Sequence, residues 1–192
     1  MIYNWIIFIS WLAFILYWAI SAFSVKKDLT SKIKIQSGTG YLIRLAIIFV
    51  IITEVVYRLS SANLIIMNHG YALGLTAAEI GSGLCVLGIA LAIWARWHLG
   101  RNWSSRPMLK VGHELVTSGP YSVIRHPIYT GMLAAILGSV LIAGPIWFIV
   151  VVVVSFFFVR RVYKEEALMM QVFPDQYPEY KKRTKALIPF IW

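Results

Sequence analysis

Long stretches with few or no charged side chains limit this sequence to a small number of folds. Residues 1–23 contain no Asp, Glu, Lys or Arg, and residues 41–59 and 77–97 contain only two or three each. A helix needs about 20 apolar residues to cross the hydrocarbon core of a bilayer, so each stretch predicts a transmembrane helix. The first lacks the basic start and the cleavage site of a signal peptide, and we interpret it as a retained span. A hydrophobic fraction of 59% and a mean hydropathy of +0.74 also indicate an integral membrane protein.

Two shorter apolar stretches, residues 127–143 and 146–159, are joined by the turn dipeptide Gly144-Pro145. The second is rich in Val and Phe and would suit a strand in a soluble protein, but an open strand in lipid leaves its backbone groups unpaired. We therefore predict a helical hairpin, either crossing the bilayer at a tilt or re-entering on one side. The predicted fold class is all-α: a polytopic membrane protein with about five transmembrane helices, the last two forming this hairpin.

The carboxyl-terminal tail, residues 160–192, is polar and basic. Residues 161–172 predict a helix that continues the second arm of the hairpin and stops before Pro174. Pro178 and Pro189 predict irregular structure after that point, because proline lacks the N–H group that a helix interior uses.

The positive charges fall into three groups that predict the orientation of the chain. Of the 18 Lys and Arg residues, five lie in residues 26–44, five in residues 96–125 and seven in the tail. With the amino terminus outside and five spans, all three groups face one side, which the positive-inside rule assigns to the cytoplasm. This distribution accounts for the net charge of +10 through the membrane surface, so no nucleic-acid partner is expected.

A polar segment beside the hairpin is the strongest candidate for a site. Residues 119–131 read GPYSVIRHPIYTG, and a second polar cluster, RRVYKEE, begins at Arg160 where the hairpin ends. A hairpin returns the chain to its starting side, so Arg125 and His126 should lie near Arg161 and Glu165. Interfacial cations that contact lipid phosphates are the simpler explanation for each Arg taken alone. Together the clusters favour a site for a charged small molecule.

Other chemistries have little support. There is no dinucleotide or phosphate-binding glycine motif, and the four histidines lack metal-ligand spacing, so no metal site is predicted. Cys85 lies in an apolar stretch and is interpreted as a small packing residue. Glu54 lies four residues before Arg58 and is interpreted as its ion-pair partner, although a functional role for an acid in a span stays open. Glu79 is placed in the first turn of its helix, where it would suit the helix dipole.

Several motifs resemble one family in order and spacing. The runs LGRNWS from Leu99 and GHELVTSGPYSVIRHPIYTG from Gly112 precede the hairpin, and RVYKEE and a Y-x-x-Y-x-x-R pattern from Tyr177 follow it. Together they resemble the isoprenylcysteine carboxyl methyltransferase family of integral membrane enzymes. The resemblance covers roughly the last hundred residues. It implies a division into residues 1–95, three spans with a basic loop, and residues 96–192, a catalytic region containing the hairpin at 127–159 and the tail.

The resemblance also implies S-adenosylmethionine as cofactor, held in a cytoplasmic pocket, and a lipidic acceptor that enters from the bilayer. Glu165 would hold the cofactor, Arg161 would bind the acidic group of the acceptor, and both would be catalytic. The other cofactor-binding residues implied are His113, Glu114, Leu115, Val116, Tyr121, His126, Pro127, Ile128 and Tyr129. One departure is Phe173-Pro174, where the family often has Phe-Gly. A prenylated protein tail, another lipid, an alkyl phenolic or pyrone and a thiol are all candidate acceptors.

Two alternatives to a methyltransferase remain. An NADPH-dependent membrane reductase of the sterol-reductase type would look similar over the Arg125-His126-Pro127 segment and the tail, although the RNWS and GHELVTSG stretches look more like the methyltransferases. A non-enzymatic membrane protein whose basic faces bind anionic lipid is the second alternative. It would leave Arg161 and Glu165 without any role in ligand binding.

Overall fold

The computed structural model describes residues 2–22, 74–103, 114–144 and 147–189. Across these ranges the chain is helical and forms no strand. The only β-type pairing in them is a parallel bridge between Ile124 and Lys185. Two short 3-10 turns cover Gly100–Asn102 and Gly119–Ser122. The α-helices are α1 (Ile2–Ala22), α2 (Gly74–Leu99), α3 (Pro127–Ala143), α4 (Phe148–Val172) and α5 (Gln176–Arg183).

The all-helical prediction is confirmed for this part of the chain, whereas the number of spans is established only in part. By length and composition, α1 and α2 could each cross a bilayer, and α3 is a shorter apolar helix. The predicted span at 41–59, with Glu54 and Arg58, and the basic loop before it lie outside the described residues. The count of five therefore stays a prediction, as does the division at residue 95, which falls inside α2.

Helices α1 and α2 run side by side in the same direction. At their amino-terminal ends the Tyr3 hydroxyl donates to Glu79 Oε1 at 3.3 Å. The prediction that Glu79 lies in the first turn of its helix is wrong, because α2 begins five residues earlier, at Gly74. At the other ends, Arg96 donates from Nη2 to the Ser21 carbonyl and from Nη1 to the Gly100 carbonyl, both at 2.9 Å.

Arg96 is buried, with only 1% of its surface exposed. Its guanidinium lies 4.4 Å from the centre of the Trp103 ring. The last carbonyls of a helix carry partial negative charge and lack partners within the helix. Arg96 thus obtains its countercharge from two helix ends, and it adds no exposed charge to the basic region in which the sequence placed it.

Glycines bring α2 and α3 into direct backbone contact as an antiparallel pair. A Cβ atom on Gly88 would lie 2.5 Å from the Gly131 carbonyl oxygen, and one on Gly81 would lie 2.6 Å from that of Gly138. Cys85 is fully buried between them and packs against Gly138, which confirms it as a small packing residue. Close approach through small residues is a common way for helices to associate in membranes.

Helix α1 packs against this pair through aromatic and polar contacts. Phe14 and Trp18 are buried against it, and Trp11 Nε1 donates to Ser139 Oγ at 3.0 Å. Ser139 in turn donates to the Ala135 carbonyl. A hydrogen bond between apolar helices fixes their relative rotation, because each polar group has few alternative partners.

The hairpin forms as predicted, and α4 is longer than its apolar part. Helix α3 ends at Ala143 and is capped by Gly144, whose φ of 112° suits glycine. Helix α4 continues past its apolar arm to Val172, confirming the predicted extension, and Phe173 caps it just before Pro174. The prediction of irregular structure afterwards is wrong for Gln176–Arg183, which form α5, and is confirmed for residues 184–189, which form bends and turns. Pro178 is the third residue of α5, where a missing N–H breaks no helical hydrogen bond.

Candidate active site

The motif at residues 119–131 begins with a turn that only glycine suits. Gly119 has a φ of 59°, and a Cβ atom there would lie 2.7 Å from the His98 ring. His98, at the end of α2, is bonded through Nε2 to Ser118 Oγ at 2.9 Å. The ring of His98 also stacks on Tyr121. The end of α2 thus fixes the start of the motif.

The tail runs beside the motif and is bonded to it along the backbone. Arg125 N–H donates to the Lys185 carbonyl at 2.8 Å, and His126 N–H donates to that of Ala186 at 3.1 Å. The Thr130 hydroxyl donates to the Leu187 carbonyl at 2.6 Å. These bonds place the tail against the residues before and at the start of α3, as the predicted hairpin requires.

Arg125 joins the motif to both α4 and the tail. Its Nε donates to Glu166 Oε1 at 2.7 Å, and its Nη1 donates to the carbonyls of Thr184 and Lys181. Its side chain is only 8% exposed. Arg125 therefore supports the fold of the site and is not exposed to lipid headgroups.

His126 lies between two carboxylates of α4. Nδ1 is 3.5 Å from Glu165 Oε2, and Nε2 is 3.6 Å from Glu166 Oε1. These separations are ion-pair contacts and are too long for good hydrogen bonds. The ring also stacks on Tyr129, with centroids 5.7 Å apart and planes 11° from parallel. Both ring nitrogens thus face α4.

Glu165 gathers the residues predicted to bind cofactor and acceptor. Its Oε1 accepts from the Tyr129 hydroxyl at 2.7 Å and from Arg161 Nε at 2.8 Å. The side chains of Glu165 and Arg161 are 21% and 30% exposed, against 7% for Glu166. Glu165 and Arg161 are therefore the charged groups that a ligand can reach most readily. We call the five residues gathered at this point the cluster: His126, Tyr129, Arg161, Glu165 and Glu166.

The charges of the cluster shift its pKa values in opposite directions. Burial disfavours the ionised form of Glu166, but His126, Lys181 and Arg125 outweigh it and lower its pKa to about 2. For Glu165 too, burial is outweighed, by His126, Arg161 and Tyr129, and its pKa is lowered. Burial alone would lower the pKa of His126, yet Glu165 and Glu166 raise it. The two carboxylates therefore favour the protonated form of the imidazole between them.

Other predicted cofactor residues lie inside the packed core. Pro127 is fully buried, and Ile128 and Tyr121 are less than 10% exposed. The Tyr121 hydroxyl lies 3.4 Å from the Ala95 carbonyl, and burial together with Tyr180 raises its pKa. In this conformation the side chains of these three residues support the site from the side of the core.

The remaining predicted residues form a separate part of the chain. Glu114 is exposed, Leu115 and Val116 are half-buried, and Val116 packs against the core formed by α1 and α2. His113 lies outside the described residues. The structure thus brings together four of the predicted residues, His126, Tyr129, Arg161 and Glu165.

Sequence reasoning missed the residues that hold the cluster from the tail. Lys181 Nζ lies 2.6 Å from Glu166 Oε2, and the Tyr180 hydroxyl donates to the Tyr121 carbonyl at 2.7 Å. Thr184 is buried and accepts from Arg125 through its carbonyl. Tyr180 stood in a recognised pattern, but Lys181 and Thr184 carry no local signal, since their partners are more than ten residues away.

The cluster fits S-adenosylmethionine by the chemistry of its groups. A partly exposed carboxylate, Glu165, can accept hydrogen bonds from an amino group or ribose hydroxyls and can balance a sulfonium charge. Within the described residues, no group of three His, Cys, Asp or Glu side chains is arranged to hold a metal ion.

Comparison with known proteins finds one family whose model matches part of this chain. The model of the isoprenylcysteine carboxyl methyltransferase (ICMT) family matches residues 81–171, which include α3, the cluster, most of α2 and nearly all of α4. This matched stretch, just under half of the chain, is similar to the isoprenylcysteine carboxyl methyltransferase family. The chain is 34% identical over 120 residues to protein-S-isoprenylcysteine O-methyltransferase B of Arabidopsis thaliana, a match covering 59% of this chain and 60% of that protein.

Two further relatives show how far the similarity extends. The protein-S-isoprenylcysteine O-methyltransferase of Homo sapiens is 40% identical over 81 residues, or 41% of this chain and 28% of the human protein. A solved structure of the eukaryotic intramembrane Ras methyltransferase ICMT matches with a TM-score of 0.55 and 26% identity. That match covers 84% of this chain and 56% of the other. Each match thus covers less than two thirds of the family member's own length.

Proposed function

We propose that this protein is a member of the isoprenylcysteine carboxyl methyltransferase family, a membrane methyltransferase that uses S-adenosylmethionine to methylate a carboxylate on an amphiphilic acceptor similar to a prenylated cysteine. The observation that carries the proposal is the pair of Arg161 and Glu165, which remains partly exposed where α4 passes from its apolar to its polar part. An acceptor with a lipid tail and an acidic head needs an apolar surface and a cation next to each other. The end of the hairpin offers both.

The protonation states of the cluster favour an acceptor that is already an anion. Glu165 and Glu166 have lowered pKa values and are engaged in ion pairs, and they raise the pKa of His126 between them, which favours its protonated form. None of these three groups is suited to remove a proton from a neutral hydroxyl near neutral pH. A carboxylate needs no general base, whereas a phenol or thiol would.

In the proposed mechanism the protein mainly positions and shields the reactants. S-adenosylmethionine, when bound, supplies an electrophilic methyl group on a sulfonium. Arg161 orients the acceptor carboxylate, because a guanidinium can bind two carboxylate oxygens at once. Glu165, held by Tyr129, binds the donor, and the apolar arms of α3 and α4 exclude water.

The other predicted cofactor residues fall into two groups in this proposal. One lies on the segment before the motif, and the other lines the site from the start of α3. They are His113, Glu114, Leu115, Val116, Tyr121, His126, Pro127, Ile128 and Tyr129.

The direction of the helices supports the proposed topology of five spans with the site on the cytoplasmic side. Helices α1 and α2 are parallel, so the chain between them starts at one end of the bundle and finishes at the other. A span at 41–59 would make this return. The motif and the tail both lie at the end of α2 that carries Arg96, as the charge distribution predicts.

Calorimetry of detergent-purified protein with three ligands tests the proposal. We expect saturable binding of S-adenosylmethionine and S-adenosylhomocysteine and none of NADPH. NADPH binding without any response to the adenosyl ligands would overturn the proposal in favour of a membrane reductase. Absence of binding for all three would favour a lipid-binding protein without this activity.

A further inference from the structure

The charged groups between the tail and the candidate site form a row of alternating sign. Lys181 Nζ is 2.6 Å from Glu166 Oε2, and Glu166 Oε1 is 3.6 Å from His126 Nε2. His126 Nδ1 is 3.5 Å from Glu165 Oε2, and Glu165 Oε1 is 2.8 Å from Arg161 Nε. We call these five residues the charge row. It leads from a half-exposed lysine on α5 to the arginine proposed to bind the acceptor.

Burial differs along the charge row and decides where it can be perturbed. Lys181 is 48% exposed, whereas Glu166 and His126 are 7% and 10% exposed. An exposed ion pair is usually weak, but this one has a buried acidic end. Replacing Lys181 by water would remove a cation that stabilises the buried carboxylate of Glu166.

The two ends of the row are coupled through a single ring. His126 faces Glu166 with one nitrogen and Glu165 with the other. Any shift of Glu166 therefore changes the charge and position that the imidazole presents to Glu165. Arg125 also binds Glu166, but it is fixed by backbone carbonyls of the tail and leaves Lys181 as the more mobile partner.

We propose that Lys181 is a positioning residue for the candidate site, acting through Glu166 and His126 on the orientation of Glu165 and so on Arg161. The effect on ligand binding rests on the proposed function, whereas the effect on His126 does not. No contact between Lys181 and a ligand is required. Lys181 therefore has a role that its place on the surface of a basic tail does not reveal.

The proposal predicts how His126 titrates. Lys181 competes with the imidazolium for Glu166, so its removal leaves more of the negative charge of Glu166 to His126. We expect Lys181→Met to raise the midpoint of the His126 titration by at least about half a pH unit. The ionisable groups around His126 are Glu165, Glu166 and Arg161 on α4, Arg125 and Tyr129 beside it, and Lys181, Tyr177 and Tyr180 on α5.

Lys182 supplies a matched control. It neighbours Lys181 and carries the same charge, but it pairs with the exposed Glu179 and not with the charge row. The measurement is nuclear magnetic resonance of imidazole-labelled protein in detergent without cofactor, from roughly pH 5 to 10. His126→Gln identifies the signal. Equal His126 midpoints in Lys181→Met and Lys182→Met would overturn the proposal, even if Lys181→Met lowered the melting temperature.

Binding of S-adenosylhomocysteine tests the other half of the charge row. We expect Lys181→Met to weaken binding by about three- to tenfold and Lys181→Arg to restore it to within about twofold, since Arg keeps the cation. Lys182→Met should leave it unchanged. Unchanged binding in Lys181→Met would refute the coupling to Glu165. If wild-type protein bound no adenosyl ligand, the proposed function would fail, and the His126 titration would still decide the link from Lys181.

Discussion

Glu165 and Glu166 are adjacent in the chain but differ in what surrounds them. Glu166 is nearly buried and pairs with Arg125 and Lys181, so it stabilises the fold of the motif and the tail. Glu165 is three times as exposed and pairs with Arg161, so it can exchange partners with a ligand. Neighbouring acids on a helix point about 100° apart, which places one toward the tail and the other toward the site.

Glu166 should make stability depend on acid pH. Its folded pKa of about 2 lies below the ordinary 4.5, so its contribution is present above about pH 4.5 and is lost as the pH falls toward 2. The shift corresponds to roughly 3 kcal/mol. Glu166→Gln should lower the melting temperature at pH 7, and it should lose less further stability than wild type between roughly pH 5 and 3.

Circular dichroism melts in detergent at a series of pH values measure this difference. Glu179→Gln is the control, because Glu179 is exposed and pairs only with Lys182 among the residues described. It should behave like wild type. Parallel losses of stability in wild type and Glu166→Gln on acidification would contradict the prediction.

Glu165 and Arg161 should separate cofactor binding from turnover. Glu165→Gln removes the charge proposed to face the donor and should weaken S-adenosylhomocysteine binding about tenfold. Arg161→Ala removes one partner of Glu165 but leaves its charge, so it should weaken that binding less than Glu165→Gln does, yet lower kcat/KM for an S-prenylated cysteine by about a hundredfold or more. Calorimetry and methyl-transfer assays measure the two effects. Similar losses of cofactor affinity in both variants would show that the two roles are wrongly divided.

At the level of elements, the contact between α2 and α3 depends on glycines that leave no room for a side chain. Gly88→Ala would place a Cβ atom 2.5 Å from one backbone oxygen and 2.6 Å from one backbone nitrogen of α3, so the helices must separate. We expect a loss of about 2 kcal/mol or more and a lower melting temperature. Gly83→Ala, on the same helix with nothing within 4 Å, should be neutral or slightly stabilising. Equal melting temperatures for the two variants would contradict this packing.

The helices were predictable where a single local property decides them. Apolar runs and the Gly144-Pro145 turn located α1, α2 and the hairpin, and the polar continuation of α4 followed from its unbroken helical composition. Helix α5 was missed because Pro178 was taken as a breaker, although proline is tolerated within the first turn. Whether Pro178 interrupts a helix depends on where that helix begins, and residue type alone does not give this position.

The candidate site was predictable only in part, for a different physical reason. The hairpin argument correctly brought Glu165 and Arg161 to the motif. It did not show that Pro127 and Ile128 face the core, nor that Lys181 and Thr184 hold Glu166 and Arg125. These facts depend on helix rotation and on contacts between distant segments, which sequence spacing does not specify.

At the level of the whole molecule, the orientation in the membrane can be measured with single cysteines. Cys85 is buried and can be replaced by Ala, after which Lys182→Cys marks the end with the site and Leu75→Cys marks the opposite end. We expect a membrane-impermeant maleimide to label Cys at 182 only in inside-out vesicles and Cys at 75 only in right-side-out ones. The reverse pattern would place the candidate site outside the cytoplasm.

Arg96 also bears on which fragment of the chain can exist on its own. The stretch matched by the family begins at residue 81, yet Arg96 within it donates to the Ser21 carbonyl at the end of α1. A shortened protein starting at Gly74 would leave one edge of a buried guanidinium without its acceptor, at a cost of about 1–3 kcal/mol or more. It would also uncover the side of α2 that Phe14 and Trp18 protect. The first helix thus contributes contacts that stabilise the matched region, although that region begins well after it.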